Sequence, residues 1–184
     1  MPYATAGELP RPWRAFLSDV DRLLSQPLKI HCLGGFVAAF YCDLERPTGD
    51  LDYIEVVPHD ATAILREVAG PASALAKKHR LYFQHVGVVS LPDSYGERLI
   101  ELLPGAYQRL KLFALEPHDL ALSKLTRNLP TDREDIAQLA RSVPLDPHLL
   151  RTRYERELRP IIIGPVDTHD QTLKLWLEAY FGLS

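Results

Sequence analysis

The stretch Leu28-Lys29-Ile30-His31-Cys32-Leu33-Gly34-Gly35, followed by Arg46-Pro47-Thr48-Gly49-Asp50-Leu51-Asp52, decides how this chain reads. Leu28 to Leu33 is a short apolar strand that stops at a glycine pair, and Phe36 to Leu44 continues as a mostly buried helix without a polar face before Asp43. Arg46-Pro47-Thr48-Gly49 is a turn, and Asp50 to Val57 is rich in strand-forming residues. Residues two apart on a strand project from one face, so Asp50 and Asp52 present two carboxylates side by side. Two ionised carboxylates that close repel each other, and the usual relief is a bound divalent cation or a raised pKa. Magnesium suits this pattern because it needs only one or two protein carboxylates, water and substrate phosphates completing its shell. Glycines between a strand and a helix let backbone N–H groups approach a phosphate at the positive helix terminus. Singly, an Asp-x-Asp more often caps a turn and a Gly-Gly more often marks one; their order here, strand, glycine pair, helix, turn, paired-carboxylate strand, is what makes them a candidate site.

Outward from this stretch the chain is ordinary for a globular protein. It has 184 residues, 46% hydrophobic and 24% charged, with 21 basic and 24 acidic side chains for a formal charge of −3. Those values exclude wholesale disorder and fit one domain or one domain with a small appendage. The acidic surplus is local. Cys42 to Asp60 holds Asp43, Glu45, Asp50, Asp52, Glu55 and Asp60 against Arg46, a charge of −5 that leaves +2 for the rest. The total therefore does not argue against a nucleic-acid partner. No apolar run approaches the ~20 residues of a membrane span, and Met1 to Pro12 lacks the apolar core of a secretory leader, so no membrane partner is expected. Cys32 and Cys42 are too few for a disulfide scaffold and match no zinc spacing; they read as small core residues of a protein in a reducing cytoplasm.

The 15 prolines set the remaining boundaries. Pro10 to Gln26 has the apolar spacing of an amphipathic helix, and a helix from Ala61, capped by Asp60, is interrupted near Gly70-Pro71 and resumes to about Arg80. Leu81 to Leu91, Arg98 to Leu103 and Arg109 to Leu115 read as strands. Asp119–Asn128, Thr131–Ser142, Pro147–Arg159 and Asp170–Phe181 read as helices. Strands mixed with helices up to about residue 115, then helices only, predict an α/β (α+β) core over 1–115 and a helical part over 116–184. Tyr154, Trp176 and Tyr180 sit at core spacing, the triplet Ile161-Ile162-Ile163 needs a burial partner, and His118 reads as a capping or surface histidine. Arg151, Arg153, Arg156 and Arg159 alternate with Glu155 and Glu157, which suits either a salt-bridged surface or contact with an RNA backbone.

Gly34-Gly35 followed by Arg46-x-Thr48-x-Asp50-x-Asp52 resembles the signature of the polymerase-β-type nucleotidyltransferase superfamily, and its Arg-x-Thr-x-Asp-x-Asp form is closest to the AbiEii-like toxin branch of bacterial toxin–antitoxin systems. Asp119-Leu120-Ala121-Leu122-Ser123-Lys124-Leu125, then Arg127 and Asp132-Arg133-Glu134-Asp135-Ile136, is similar to a second block of that branch, with Thr131 in place of its usual Arg. The resemblance covers about Leu28 to Leu139. It implies a nucleotidyltransferase-fold mixed sheet flanked by helices, and Mg²⁺-dependent (alternatively Mn²⁺-dependent) transfer of a nucleoside monophosphate from NTP to an acceptor hydroxyl. The implied acceptor is RNA or tRNA, and the implied partner a separate antitoxin. Gly34 and Gly35 would shape the phosphate loop, Asp50 and Asp52 would hold the metal, and Arg46 and Thr48 would buttress that loop or touch phosphate. Lys124, with Arg127 on the same helix face, would contact the triphosphate; Asp132 or Asp135 would complete the acidic cluster or position Lys124. Superfamily members often carry a third metal carboxylate on a later strand. Leu81 to Leu91 offers no Asp or Glu, Glu101 is a conceivable substitute, and Glu55 has the wrong strand parity relative to Asp50 and Asp52. The alternatives are an antibiotic-type enzyme acting on a small molecule such as an aminoglycoside, and a non-catalytic domain of the same fold that binds nucleotide or protein.

Overall fold

The computed structural model describes residues 9–42 and 48–183, in two compact units. The first contains the described residues before Val88 together with Leu99–Leu115, and the second contains Val88–Arg98 and the chain from Glu116 onward. Among the described residues are a five-stranded mixed sheet and eight α-helices, the α/β architecture expected from the sequence.

The sheet unit runs α1 (Arg11–Leu23), β1 (Leu28–Leu33), α2 (Gly34–Cys42), β2 (Asp50–Val57), α3 (Thr62–Ala69), α4 (Ala74–His79), β3 (Tyr82–His85), β4 (Ile100–Leu102) and β5 (Leu110–Ala114). The strand order is β3-β2-β1-β5-β4. β1 is antiparallel to β2 and parallel to β5, so the strand that ends at the glycine pair is central. One sheet face carries Leu28, Ile30, Cys32, Leu51, Tyr53, Val56, Phe83, Leu110 and Leu112, all buried. The apolar stripe of α1 meets it: Phe16 packs edge-to-face on Phe83 at 5.5 Å, and Trp13 on Phe36 of α2 at 4.7 Å. Each large side chain so buried contributes about 1.5–3 kcal/mol, which is what secures the helix against the sheet. Alternation along the strands puts Lys29, His31, Asp50, Asp52, Tyr82, Gln84, Lys111 and Phe113 on the opposite face, half-buried or exposed.

Two acidic residues on the polar side of α1 tie it down. Asp21 accepts backbone N–H bonds from Arg109 and Leu110 at 2.7 and 2.8 Å, capping the start of β5. Asp19 accepts from Lys78 at 2.7 Å and lies 2.8 Å from His79 on α4, with Arg22 also donating to it. The hydrogen bond from Lys78, then that from His79, lowers the Asp19 carboxyl from its usual range to about 2. A depressed folded-state value means the stabilisation is complete above the unfolded value of 3.8 and disappears as pH falls towards about 2. Asp19→Asn should therefore cost about 1–2 kcal/mol in urea denaturation at pH 7, allowing for partial solvent screening. The gap between variant and wild type should close between pH 4 and 2; a gap that stays constant with pH would refute the assignment.

The helical unit contains α5 (Pro117–Leu125), α6 (Pro130–Ser142), α7 (Pro147–Arg153) and α8 (Val166–Phe181), α7 continuing through a π-helical turn at Tyr154–Leu158. Tyr154 and Trp176 are core residues as expected, and Tyr180 is half-buried. Three sequence expectations need correction. The strand expected over Leu81 to Leu91 is only four residues long, because the chain leaves the sheet after His85 and Val88 is 94% exposed. α2 starts at Gly34 itself rather than at Phe36. Of the Ile161–Ile163 triplet only Ile162 is half-buried; Ile161 is exposed and Ile163 is 99% exposed.

Candidate active site

The turn from β1 into α2 is built around one close approach. Gly34 has φ +78°, a conformation L side chains rarely adopt, and a Cβ there would collide with Asp52 Oδ2 and stand 3.0 Å from Asp52 Cβ. The Asp52 carboxylate thus occupies space that only glycine leaves, over the N-terminal turn of α2. Register explains the meeting: Leu33 pairs with Asp52 across the antiparallel β1–β2 ladder, so the next residue after the strand is the one Asp52 overhangs. Gly35 gives Thr48 a similar opening, its virtual Cβ lying 3.3 Å from Thr48 Cγ2. Asp50 and Asp52 pair with Tyr82 and Gln84 of β3 and share one sheet face, both half-buried. Arg46 lies outside the described residues.

Among the described residues no three His, Cys, Asp or Glu side chains form a cluster able to cage a metal ion. Two carboxylates beside a helix N-terminus fit the other mode of cation binding, in which Mg²⁺ keeps most of its shell for water and substrate phosphate. The donor set is all oxygen, which suits Mg²⁺ or Mn²⁺.

The parity expected for Glu55 is overturned. A β-bulge interrupts the β1–β2 ladder: His31 pairs with Glu55 and Cys32 with Tyr53, so Ile54 is an extra residue. The shift turns Val56 inward with Leu51 and Tyr53 and puts Glu55 on the face of Asp50 and Asp52. His31 faces it across the ladder, with Nδ1 3.2 Å from Glu55 Oε2. Burial lowers the affinity of His31 for a proton and Lys29 acts in the same direction, while Glu55 opposes them; the net shift is downward. Glu101 is on β4, with its carboxylate 3.8 Å from Lys111 Nζ.

In the helical unit, Lys124, Arg127, Asp132 and Asp135 come together where α5 meets α6. Lys124 is 3% exposed, with Nζ 2.8 Å from Asp135 Oδ2 and 3.5 Å from Asp132 Oδ1. Asp132, fully buried, accepts from Arg127 Nε at 2.8 Å and from the Leu129 N–H at 3.0 Å, so it also caps the N-terminus of α6. Burial alone would raise the Asp132 carboxyl; Arg127, Leu129 and Lys124 outweigh it and hold it below its ordinary value. These four residues form an internal ion-pair network, so any contact of Lys124 with a phosphate has to compete with two carboxylates.

A second network is one that residue spacing did not suggest. Asp119, also fully buried, is held by Arg98 Nε at 2.8 Å and by Arg153 at 3.0 Å, and Arg98 reaches Glu157 at 2.7 Å. The π-helical turn is what presents Glu157 to Arg98. Arg153 also donates to Glu116, the N-cap of α5. Arg153 is therefore a half-buried clamp, whereas Arg151, Arg156 and Arg159 are exposed, Arg159 pairing with Asp170 at 2.9 Å. His118 is buried rather than on the surface. Its Nε2 accepts the Asp146 backbone N–H at 2.8 Å, which places the ring proton on Nδ1, donated to Glu116 Oε1 at 2.7 Å.

The protein family described as "Nucleotidyltransferase of unknown function (DUF6036)" matches residues 18–175, which includes both candidate motifs. No curated protein and no solved structure matches the chain. No helix among the described residues is long and apolar enough to cross a membrane.

Proposed function

The chain belongs to this nucleotidyltransferase family, and we propose that it transfers a nucleoside monophosphate from an Mg-bound NTP to an acceptor hydroxyl, with release of pyrophosphate. The observation that carries the reading is the Asp52 carboxylate seated over Gly34 at the start of α2, with Asp50 beside it on the same strand face. Backbone N–H groups of the α2 N-terminus would receive a phosphate, and Asp50 and Asp52 would hold the cation. The cation would neutralise charge on the transferring phosphoryl group and on the leaving pyrophosphate. The protein's part is then to align the hydroxyl with the α-phosphorus and to hold fixed charges around it. No protein nucleophile is required.

The acceptor we propose is RNA, tRNA in particular, in a toxin-like role with a separate antitoxin. Support comes from the Arg46-x-Thr48-x-Asp50-x-Asp52 pattern and the later Lys124…Asp135 block, both of which resemble that branch. Incubation of the purified chain with each α-labelled NTP, Mg²⁺ or Mn²⁺ and total RNA should label an RNA band and release pyrophosphate in equal amount. Labelling of an aminoglycoside instead would move the acceptor to small molecules. Tight Mg-NTP binding with no turnover on either acceptor would refute transfer and leave a nucleotide-binding domain.

A further inference from the structure

We infer that His31, with Glu55 as its counter-charge, is the proton acceptor for the attacking hydroxyl; this rests on the transfer reaction proposed above. Three placements support it. The bulge at Ile54 aligns Glu55 with Asp50 and Asp52 on one face, so carboxylate, imidazole and the paired aspartates share a single surface. His31 stands two residues before Leu33, the partner of Asp52, and so one same-face step of about 6–7 Å along β1 from the residue that precedes Gly34. On its other side the ladder sets Phe113 of β5, which leaves His31 as the central polar side chain of that row.

With the phosphates of the leaving group at the α2 N-terminus, in-line attack on the α-phosphorus comes from the opposite side, along β1 towards His31. The hydroxyl oxygen forms the new P–O bond as the bond between the α-phosphorus and the bridging oxygen breaks, and pyrophosphate leaves with that electron pair. The hydroxyl proton passes to the His31 imidazole, and the resulting imidazolium faces the Glu55 carboxylate at 3.2 Å. Solvent then takes the proton, returning the neutral ring. The ring is suited to this because burial, with Lys29 adding to it, keeps it neutral at physiological pH. The charged groups around it are Lys29 on its own strand, Glu55 on β2 and Lys111 on β5, with Glu101 of β4 engaged by Lys111. Lys29 Nζ is itself drawn over the Phe113 ring at 5.5 Å.

The test pairs binding with turnover. Mg-NTP affinity is measured by calorimetry, and transfer to total RNA is followed from pH 5 to 9, for wild type, His31→Asn and Glu55→Gln. His31→Asn should bind Mg-NTP within about threefold of wild type, lose roughly 10²–10⁴-fold in transfer, and lose the acidic limb of the pH profile. Glu55→Gln, at a largely exposed position that tolerates the change, should transfer about tenfold more slowly. Its acidic limb should move to lower pH, since the imidazolium has lost its counter-charge. Wild-type rate and limb in His31→Asn would overturn the dyad while leaving nucleotidyl transfer standing. So would an unmoved limb in Glu55→Gln if His31→Asn proves unable to fold. A wild-type protein that neither binds Mg-NTP nor transfers would overturn both readings together.

Discussion

Asp50→Asn combined with Asp52→Asn should reduce transfer of label from α-labelled NTP by roughly a thousandfold or more, as removal of fixed charge from a phosphoryl-transfer centre does. The fold should survive. Both positions are half-buried, asparagine is isosteric with aspartate, and neither carboxylate is in the apolar core. The response of the melting temperature to metal and nucleotide separates a metal platform from a structural pair. Adding 5–10 mM Mg²⁺ with NTP, roughly a saturating excess by mass action, should raise the wild-type melting temperature and leave that of the variant unmoved. Full labelling by the double variant would end the assignment of Asp50 and Asp52. A melting temperature that rises equally in both proteins would move the cation elsewhere.

The second large effect is on stability. Lys124→Met strips Asp135, and in part Asp132, of a cation buried within 2.8 and 3.5 Å. Breaking one side of a buried pair typically costs about 3–5 kcal/mol, because the remaining charge is left without compensation. Asp132 keeps Arg127 and the Leu129 N–H. Lys124→Met/Asp135→Leu should recover most of it, since replacing both partners by apolar side chains of similar size is nearly neutral. Guanidinium denaturation measures both numbers. The double variant also tests for a role in the reaction: if it is as stable as wild type yet has lost transfer, the Lys124–Asp135 pair serves the reaction as well as the fold. If it retains transfer, the lysine only joins α5 to α6. A single variant that unfolds at the wild-type midpoint would remove the buried-pair account.

Much of the sheet unit was legible because its signals are local. Leu28 to Leu33 and Asp50 to Val57 are bounded by glycine and proline, carry strand-forming residues, and appear at those limits as β1 and β2. The glycine pair and the Asp-x-Asp strand, remote in sequence, were read as one site from their order, and the ladder brings Asp52 over Gly34. What could not be read was anything set by a single inserted residue or by a distant partner. The bulge at Ile54 leaves no mark in composition, yet it reverses which face Glu55 occupies and so hid the pair with His31. Val86 to Leu91 looks like strand because it is apolar, but its backbone leaves the sheet after His85. Nor does spacing show that Asp119 and Lys124 lie in a helix buried over its whole length; the partners that make this tolerable are Arg98, Arg153, Asp132 and Asp135.

The clasp of Arg98 on Asp119 and Glu157 sets a constraint on the order in which the chain can mature. Arg98 emerges from the ribosome 59 residues before Glu157, which at ordinary elongation rates is roughly 3–12 s of synthesis. Over that interval Val88–Arg98 has been made, but the residues it will cluster with, from Glu116 onward, are still being added. A nascent chain stalled near residue 115 would present that excursion unclasped, Arg98 lacking both of its carboxylates, to chaperones or proteases. The Val88–Arg98 segment is thus fully clasped only once Glu157 has been made.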